Sequence, residues 1–286
     1  MRLLVVGKTG QVARELARHC PPDCSIRFLD RHQADLSDPA ACKNAIMQAD
    51  VDAVINAAAW TAVDDAETSE VLATVVNGVA PGEMAAACAQ KDIPFLHIST
   101  DYVFDGSGTL PFAPDHPTAP LSAYGRSKLA GETAIRATGA HHLILRTSWV
   151  FSGHGRNFVT TMLRLGAERA ELRVIADQIG GPTPASDIAR ALFVAARGMI
   201  AGQPGGTHHF SGAPDVSWAT FARQIMADAG LHCMVHDIAS SEYPTLAVRP
   251  LNSRLECASL TSAFGIQRPD WRLALKDIIL NLGDDT

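Results

Sequence analysis

Short apolar runs alternate along this chain with longer stretches whose apolar residues recur every third or fourth position. Arg2-Leu3-Leu4-Val5-Val6 stops at Gly7, and Gln11 to Cys20 then carries helical spacing, so the chain opens as strand, turn and helix. Ser25 to Leu29, Val51 to Ala59, Pro94 to Ser99 and Leu143 to Val150 read as four further strands. Between them Val71 to Lys91 is an alanine-rich helix with apolar faces in which Asn77 is a polar oddity, and another helix carries Tyr124. Val216 to Leu231 and Trp271 to Leu282 read as amphipathic helices. Strands that alternate with helices predict an α/β fold with a doubly wound parallel sheet. Residues 1–150 would form its core, with further core elements from 151–210. Residues 151–286 would mainly form a smaller C-terminal lobe interleaved with it. The last three residues, Asp284-Asp285-Thr286, read as a disordered end.

Composition narrows the classes. A chain of 286 residues that is 47% hydrophobic can bury one large core, with or without a smaller lobe. A formal charge of -6 leaves no broad basic footprint and argues against nucleic acid as a partner. No apolar run reaches membrane-spanning length, and Met1 to Val6 leads into a glycine turn instead of a signal-peptide pattern, so a cytoplasmic protein with no membrane partner is expected. The six cysteines lack CxxC spacing and read as reduced thiols. His141-His142 and His208-His209 are adjacent pairs, which on a strand point to opposite faces and chelate poorly; no metal site is expected.

The candidate chemistry sits where the strands end. Gly7-Lys8-Thr9-Gly10-Gln11-Val12-Ala13 is a GxxGxxA turn between the first strand and helix. Gly7 and Gly10 let backbone approach a pyrophosphate, and Gln11 and Val12 open a helix whose N-terminus favours anions. This makes the sheet Rossmann-type. The second strand ends at Asp30-Arg31, where a carboxylate suits the free ribose hydroxyl of NAD and an arginine the 2'-phosphate of NADP. Both NADH and NADPH stay open. Asp35 and Leu36 would contact the adenine or belong to a helix cap, and the small Ala57, Ala58 and Ala59, with Thr61, leave room across the sheet edge. Thr100 is delivered to that same edge. Tyr124 and Lys128, four residues apart on a helix, share one face, and a nearby ammonium would lower the phenol's pKa toward acid chemistry.

Several longer stretches carry a resemblance. GKTGQV from Gly7, NAAAWTAVDDAE from Asn56, STDYVFDG from Ser99 and SAYGRSKLAGE from Ser122 are similar to the extended short-chain dehydrogenase/reductases. LRTSWVF from Leu145, NFVTTMLRL from Asn157, GGPTPASDIA from Gly180, RPLNSRL from Arg249 and PDWRLAL from Pro269 resemble the dTDP-4-dehydrorhamnose reductase branch of that superfamily. The resemblance implies NAD(P)H-dependent reduction of a dTDP-linked keto-deoxy sugar, with Thr100, Tyr124 and Lys128 as catalytic residues. Lys128 would also hold the nicotinamide ribose. It implies sugar contacts from Asp101 and Trp149, in a cleft bounded by a substrate-binding C-terminal lobe. Arg249 and Arg254 would hold the nucleotide diphosphate or form structural ion pairs, and Asn157 would be a ligand or a helix cap.

Some members of this family bind magnesium between subunits through an acidic residue matching Glu15 and another on the PT-x-x segment. Here the second position is Ser186, with Asp187 one place on, and Glu15 reads as solvent-facing. No magnesium is expected, which weakens the family-based case for a magnesium-bridged dimer and leaves a homodimer open. Trp60 stands where a histidine or smaller aromatic is usual. Three alternatives remain: a reductase of another dTDP-4-keto-6-deoxy sugar, a non-catalytic subunit like the methionine adenosyltransferase β subunit, and an epimerase or dehydratase. The joint presence of Thr100, Tyr124 and Lys128 disfavours the second. Tyr102, where a dehydratase would carry glutamate, disfavours the third.

Overall fold

The computed structural model describes residues 1–284; Asp285 and Thr286, part of the expected disordered end, lie outside the described residues. The first half follows a strand and helix alternation through β1 (Arg2–Val6), α1 (Gln11–Arg18), β2 (Ser25–Leu29), α2 (Pro39–Met47), β3 (Ala53–Asn56) and α3 (Val63–Thr68). Then come α4 (Glu70–Thr74), a π-helical turn (Val75–Val79), α5 (Ala80–Lys91), β4 (Phe95–Thr100), α6 (Ala123–Ala137) and β5 (His142–Thr147). Beyond them lie β6 (Val150–Phe151), α7 (Phe158–Glu168), β7 (Glu171–Ile175), β8 (Ile179–Gly180), β9 (Thr183–Pro184), α8 (Ala185–Ile200) and β10 (Gly206–His209). The chain finishes with β11 (Val216–Ser217), α9 (Trp218–Asp228), β12 (Met234–Ile238), β13 (Asn252–Ser253), α10 (Ala258–Phe264) and α11 (Trp271–Asp284).

Six strands form one sheet in the order β10-β5-β4-β3-β1-β2, every pair parallel. Strand periodicity of two splits its side chains. Leu3 and Val5 pack with Leu16 of α1 and Ile188 and Leu192 of α8 on one face, whereas Leu4 and Val6 pack with Ile46 of α2, Met84 of α5 and Ile135 of α6 on the other. The strand order reverses beside β1, so the crevice at the strands' C-terminal ends is where such a sheet binds ligands.

The smaller lobe has its own core, in which Phe151, Val159, Phe221 and Trp271 meet between α7, α9 and α11, beside the parallel pair β7 and β12. Short ladders, β11-β8-β13 and β6-β9, stitch it to the crevice.

Several boundaries differ from the pattern-based reading for identifiable reasons. β3 ends at Asn56 because that side chain accepts the Ala58 N–H at 3.1 Å and turns the chain. β5 ends at Thr147, and Trp149, with φ +49, breaks what the apolar run suggests is one strand to Val150. α9 starts at Trp218, since Val216–Ser217 pairs with β8 and the Ser217 hydroxyl caps the helix through Thr220 N at 3.0 Å. α11 continues into the expected disordered end as far as Asp284. Glu70–Lys91, at 22 residues and a mean hydropathy of 1.3, does reach membrane-spanning length. It is packed into this domain against α2 and α6, with half of its apolar window buried.

Candidate active site

A cavity of about 1100 Å³ opens over the C-terminal ends of β1 to β5. Its floor is the glycine turn after β1. Gly7 has φ +99, and a Cβ there would stand 3.1 Å from Ala58 Cβ, so only glycine lets the two loops meet. Gly10 caps α1 without a side-chain bond, which leaves the helix's first N–H groups for an anion. Gln11 and Val12 border the cavity, and Ser152 donates to Gln11 Oε1 at 3.0 Å, tying the start of α1 to the loop before α7. In that loop Asn157 is the helix cap, joined to Thr160 in a reciprocal capping box.

At the end of β2 the Asp30 carboxylate accepts the N–H groups of His32 and Gln33 at 3.0 and 3.3 Å, which makes it a turn anchor at the cavity's edge. Arg31 donates to Asp35 at 3.0 Å. The Ser37 hydrogen bonds and then Arg31 hold the Asp35 carboxyl down to about 2. These residues, Leu36, Ala57, Ala58, Ala59 and Thr61 all line the same cavity. The close glycine approach, uncapped helix start and small-residue edge fit a dinucleotide.

The chemistry-bearing half is built by α6. Ser122 caps it through Gly125 N at 3.2 Å, and a Cβ on Gly125 would come within 2.3 Å of the Tyr102 carbonyl, so glycine lets α6 press its start against the turn after β4. Tyr124 stands edge-on to Tyr102, ring centroids 5.5 Å apart, and its side chain and Thr100 border the same cavity. Burial and then the nearby Asp101 charge act to raise the phenol's pKa, the Thr100 hydroxyl acts against them, and the result is well above the ordinary tyrosine range. Tyr124 is therefore a protonated phenol at neutral pH.

Lys128 corrects one expectation. Its ammonium does not act on Tyr124. It donates to the Ile98 carbonyl at 2.8 Å and lies 3.1 Å from His97 Nε2. Burial brings the lysine down to about 8, opposed by the Glu132 charge. His97, buried and next to that ammonium, is held neutral, and its Nδ1 meets Asn56 Nδ2 at 3.2 Å. Asp101 borders the cavity as well. Its Oδ1 accepts from Thr100 at 3.1 Å, Oδ2 is buried with no hydrogen-bond partner among the described residues, and burial lifts its pKa to about 6.

Trp149 lines the cavity from the smaller lobe's side, whereas Arg249 and Arg254 do not border it. Arg249 pairs with Asp64 at 2.7 Å, and Arg254 donates to the Asn252 side-chain oxygen at 2.9 Å. Glu15 is also corrected: it is only 4% exposed, with His19 at 3.1 Å and His154 at 3.5 Å. Asp187 carries the carboxyl that feels Glu15; burial raises its pKa, and Arg190 pairs with it at 3.0 Å.

Two buried polar groups support the site without having been assigned a role from the sequence. Asn77, in the π-helical turn, accepts from Trp60 N at 2.8 Å and donates to Trp60 O at 3.0 Å and to Ser127 Oγ at 2.9 Å, joining the alanine loop to α6. Its polar side chain on an apolar helix was the available signal. Glu132, one turn beyond Lys128, is bidentate with Arg146 at 2.7 and 2.9 Å and accepts from Ser99 at 2.6 Å, which locks α6 to β4 and β5.

Comparison with known proteins agrees with this geometry. The sequence matches the family described as RmlD substrate binding domain over residues 1–283. A dTDP-4-dehydrorhamnose reductase of Sinorhizobium fredii is 43% identical, the match covering 98% of this chain and 97% of that protein. The enzyme of the same name from Escherichia coli K12 is 37% identical over 99% and 98%. Among solved structures, dTDP-4-dehydrorhamnose reductase from Bacillus anthracis in complex with NADP superposes with a TM-score of 0.91 at 32% identity, covering 98% of this chain and 99% of that one.

Proposed function

The chain belongs to the RmlD substrate binding domain family, and from that premise we propose that it reduces dTDP-4-dehydro-β-L-rhamnose at C4 to dTDP-L-rhamnose. This is an NAD(P)H-dependent oxidoreductase reaction, the final step of dTDP-rhamnose synthesis. The observation that carries the reading is the convergence of Thr100, Tyr124 and Lys128 on the same cavity as the glycine turn.

The nicotinamide, when bound, supplies a hydride to C4. Every other requirement falls to the chain. Negative charge grows on the C4 oxygen, and a proton must arrive there. Tyr124 donates it, and its protonated state suits a reduction, which needs an acid. Thr100, on the same cavity as that phenol, steadies the same oxygen. Lys128, fixed on the Ile98 carbonyl and bordering the cavity, would hold the nicotinamide ribose and so position the cofactor. The glycine turn and α1 take the pyrophosphate, with Asp30 and Arg31 at the adenosine ribose. Trp149 and Asp101 face the sugar. The cytoplasmic location expected from the sequence suits a soluble nucleotide-sugar substrate.

The test is product identity. Purified protein, NADPH and the 4-keto sugar nucleotide should yield dTDP-L-rhamnose by NMR. The C4 epimer, or recovery of unchanged ketone, would overturn the substrate assignment.

A further inference from the structure

Trp149 carries a bulky aromatic side chain at φ +49, in the left-handed region that such residues avoid. Something must hold it there. Its carbonyl accepts Thr183 N at 3.1 Å, and its indole lies flat on Trp218, ring centroids 3.5 Å apart and planes within 10°. Room for the ring depends on Gly180, where a Cβ would stand 2.9 Å from Trp149 Cε2. The same glycine pairs with Val216 in the β8-β11 ladder, which sets Trp218 beside it as the first residue of α9. Trp218 is braced in turn by Phe158, 4.5 Å away between centroids.

Trp218 is absent from the cavity wall, while Trp149 is part of it. From this we infer that Trp218 is a positioning residue: it holds the strained Trp149 indole as a rigid apolar wall of the sugar site and so governs substrate affinity. The ligand class that fits an indole face is a hexose presenting an apolar ring face or a deoxy carbon, which pays no desolvation penalty for a hydroxyl there. The inference rests on the reductase reading for its substrate, and on the stack alone for its geometry.

Three proteins test it: wild type, Trp218→Leu, which keeps apolar packing against Phe158 but cannot stack, and Trp218→Phe, which can stack. Two indoles this close give an exciton couplet in circular dichroism, which should be present in wild type and absent from both variants. For Trp218→Leu, KM for the sugar nucleotide should rise about ten-fold while kcat stays within about two-fold and KM for NADPH is unchanged. Trp218→Phe should restore most of the affinity. An unchanged sugar KM in the Leu variant would overturn the inference, as would a rise no smaller in the Phe variant or an equal rise in both KM values. If wild type itself fails to turn over the sugar, the reductase reading fails. The couplet, and calorimetric affinities of the three proteins for dTDP-rhamnose, then judge the positioning role alone.

Discussion

The Asn77 side-chain amide donates to the Ser127 hydroxyl at 2.9 Å, across fifty residues of sequence, and that same amide clamps both backbone groups of Trp60. One side chain thus sets the distance between the loop that would carry cofactor and the helix that carries Tyr124 and Lys128. A π-helical turn places it there, and Gly131 lets the Asn77 carbonyl come close, since a Cβ would stand 2.1 Å from it.

Replacing Asn77 should therefore cost both stability and rate. Asn77→Ala leaves the Trp60 amide and carbonyl unpaired, and we expect a loss of roughly 2–4 kcal/mol in denaturant unfolding. Turnover should fall by at least about ten-fold through misplacement of α6. A variant as stable and active as wild type would remove the clamp from the account.

Asp101 gives a pH signature. Its carboxyl is at about 6 in the folded chain against 3.8 for an ordinary aspartate, so the folded state binds the proton more tightly than the unfolded one. Stability then falls as pH rises from about 4 to about 6 and is flat above, a cost of roughly 3 kcal/mol at neutral pH. Asp101→Asn carries no such cost. Its Tm advantage over wild type should be small at pH 4 and grow through pH 6; an advantage independent of pH would contradict the assignment.

The Arg249 and Asp64 pair is half exposed, at 24% and 42%, and so contributes about 1 kcal/mol or less. Arg249→Ala should lose about that much, Asp64→Ala more because its carboxylate also accepts the Ala247 N–H at 3.0 Å, and the double variant less than the sum of the two. Additive losses in the double variant would show that the two side chains act apart.

Pattern alone was enough for the parts of the fold that depend on local sequence. The alternation of Leu3 and Val5 with Leu4 and Val6 assigns the two faces of β1, and Tyr124 and Lys128 do share one face of a helix on one cavity. What the sequence hid are contacts between distant residues. Nothing near Lys128 announces that its amine turns to His97 and Ile98, because β4 is thirty positions away. The Arg249 pair with Asp64, 185 positions distant, could not be read from its own stretch either. The face-to-face stack of Trp149 on Trp218, and the way β10 returns to the edge of the main sheet, are likewise set by tertiary pairing. The glycine turn was legible because its function lies in the backbone, which glycine spacing reports directly.

The acid role of Tyr124 in a keto-sugar reduction is what the proposed function depends on most. It is tested most directly by following oxidation of NADPH and NADH with dTDP-4-dehydro-β-L-rhamnose for wild type and Tyr124→Phe. Wild type should consume cofactor only with the sugar present. The variant, which keeps the ring but not the proton, should lose about 10²–10⁴-fold in kcat with cofactor affinity unchanged. A Tyr124→Phe enzyme that turns over at near wild-type rate would contradict the claim.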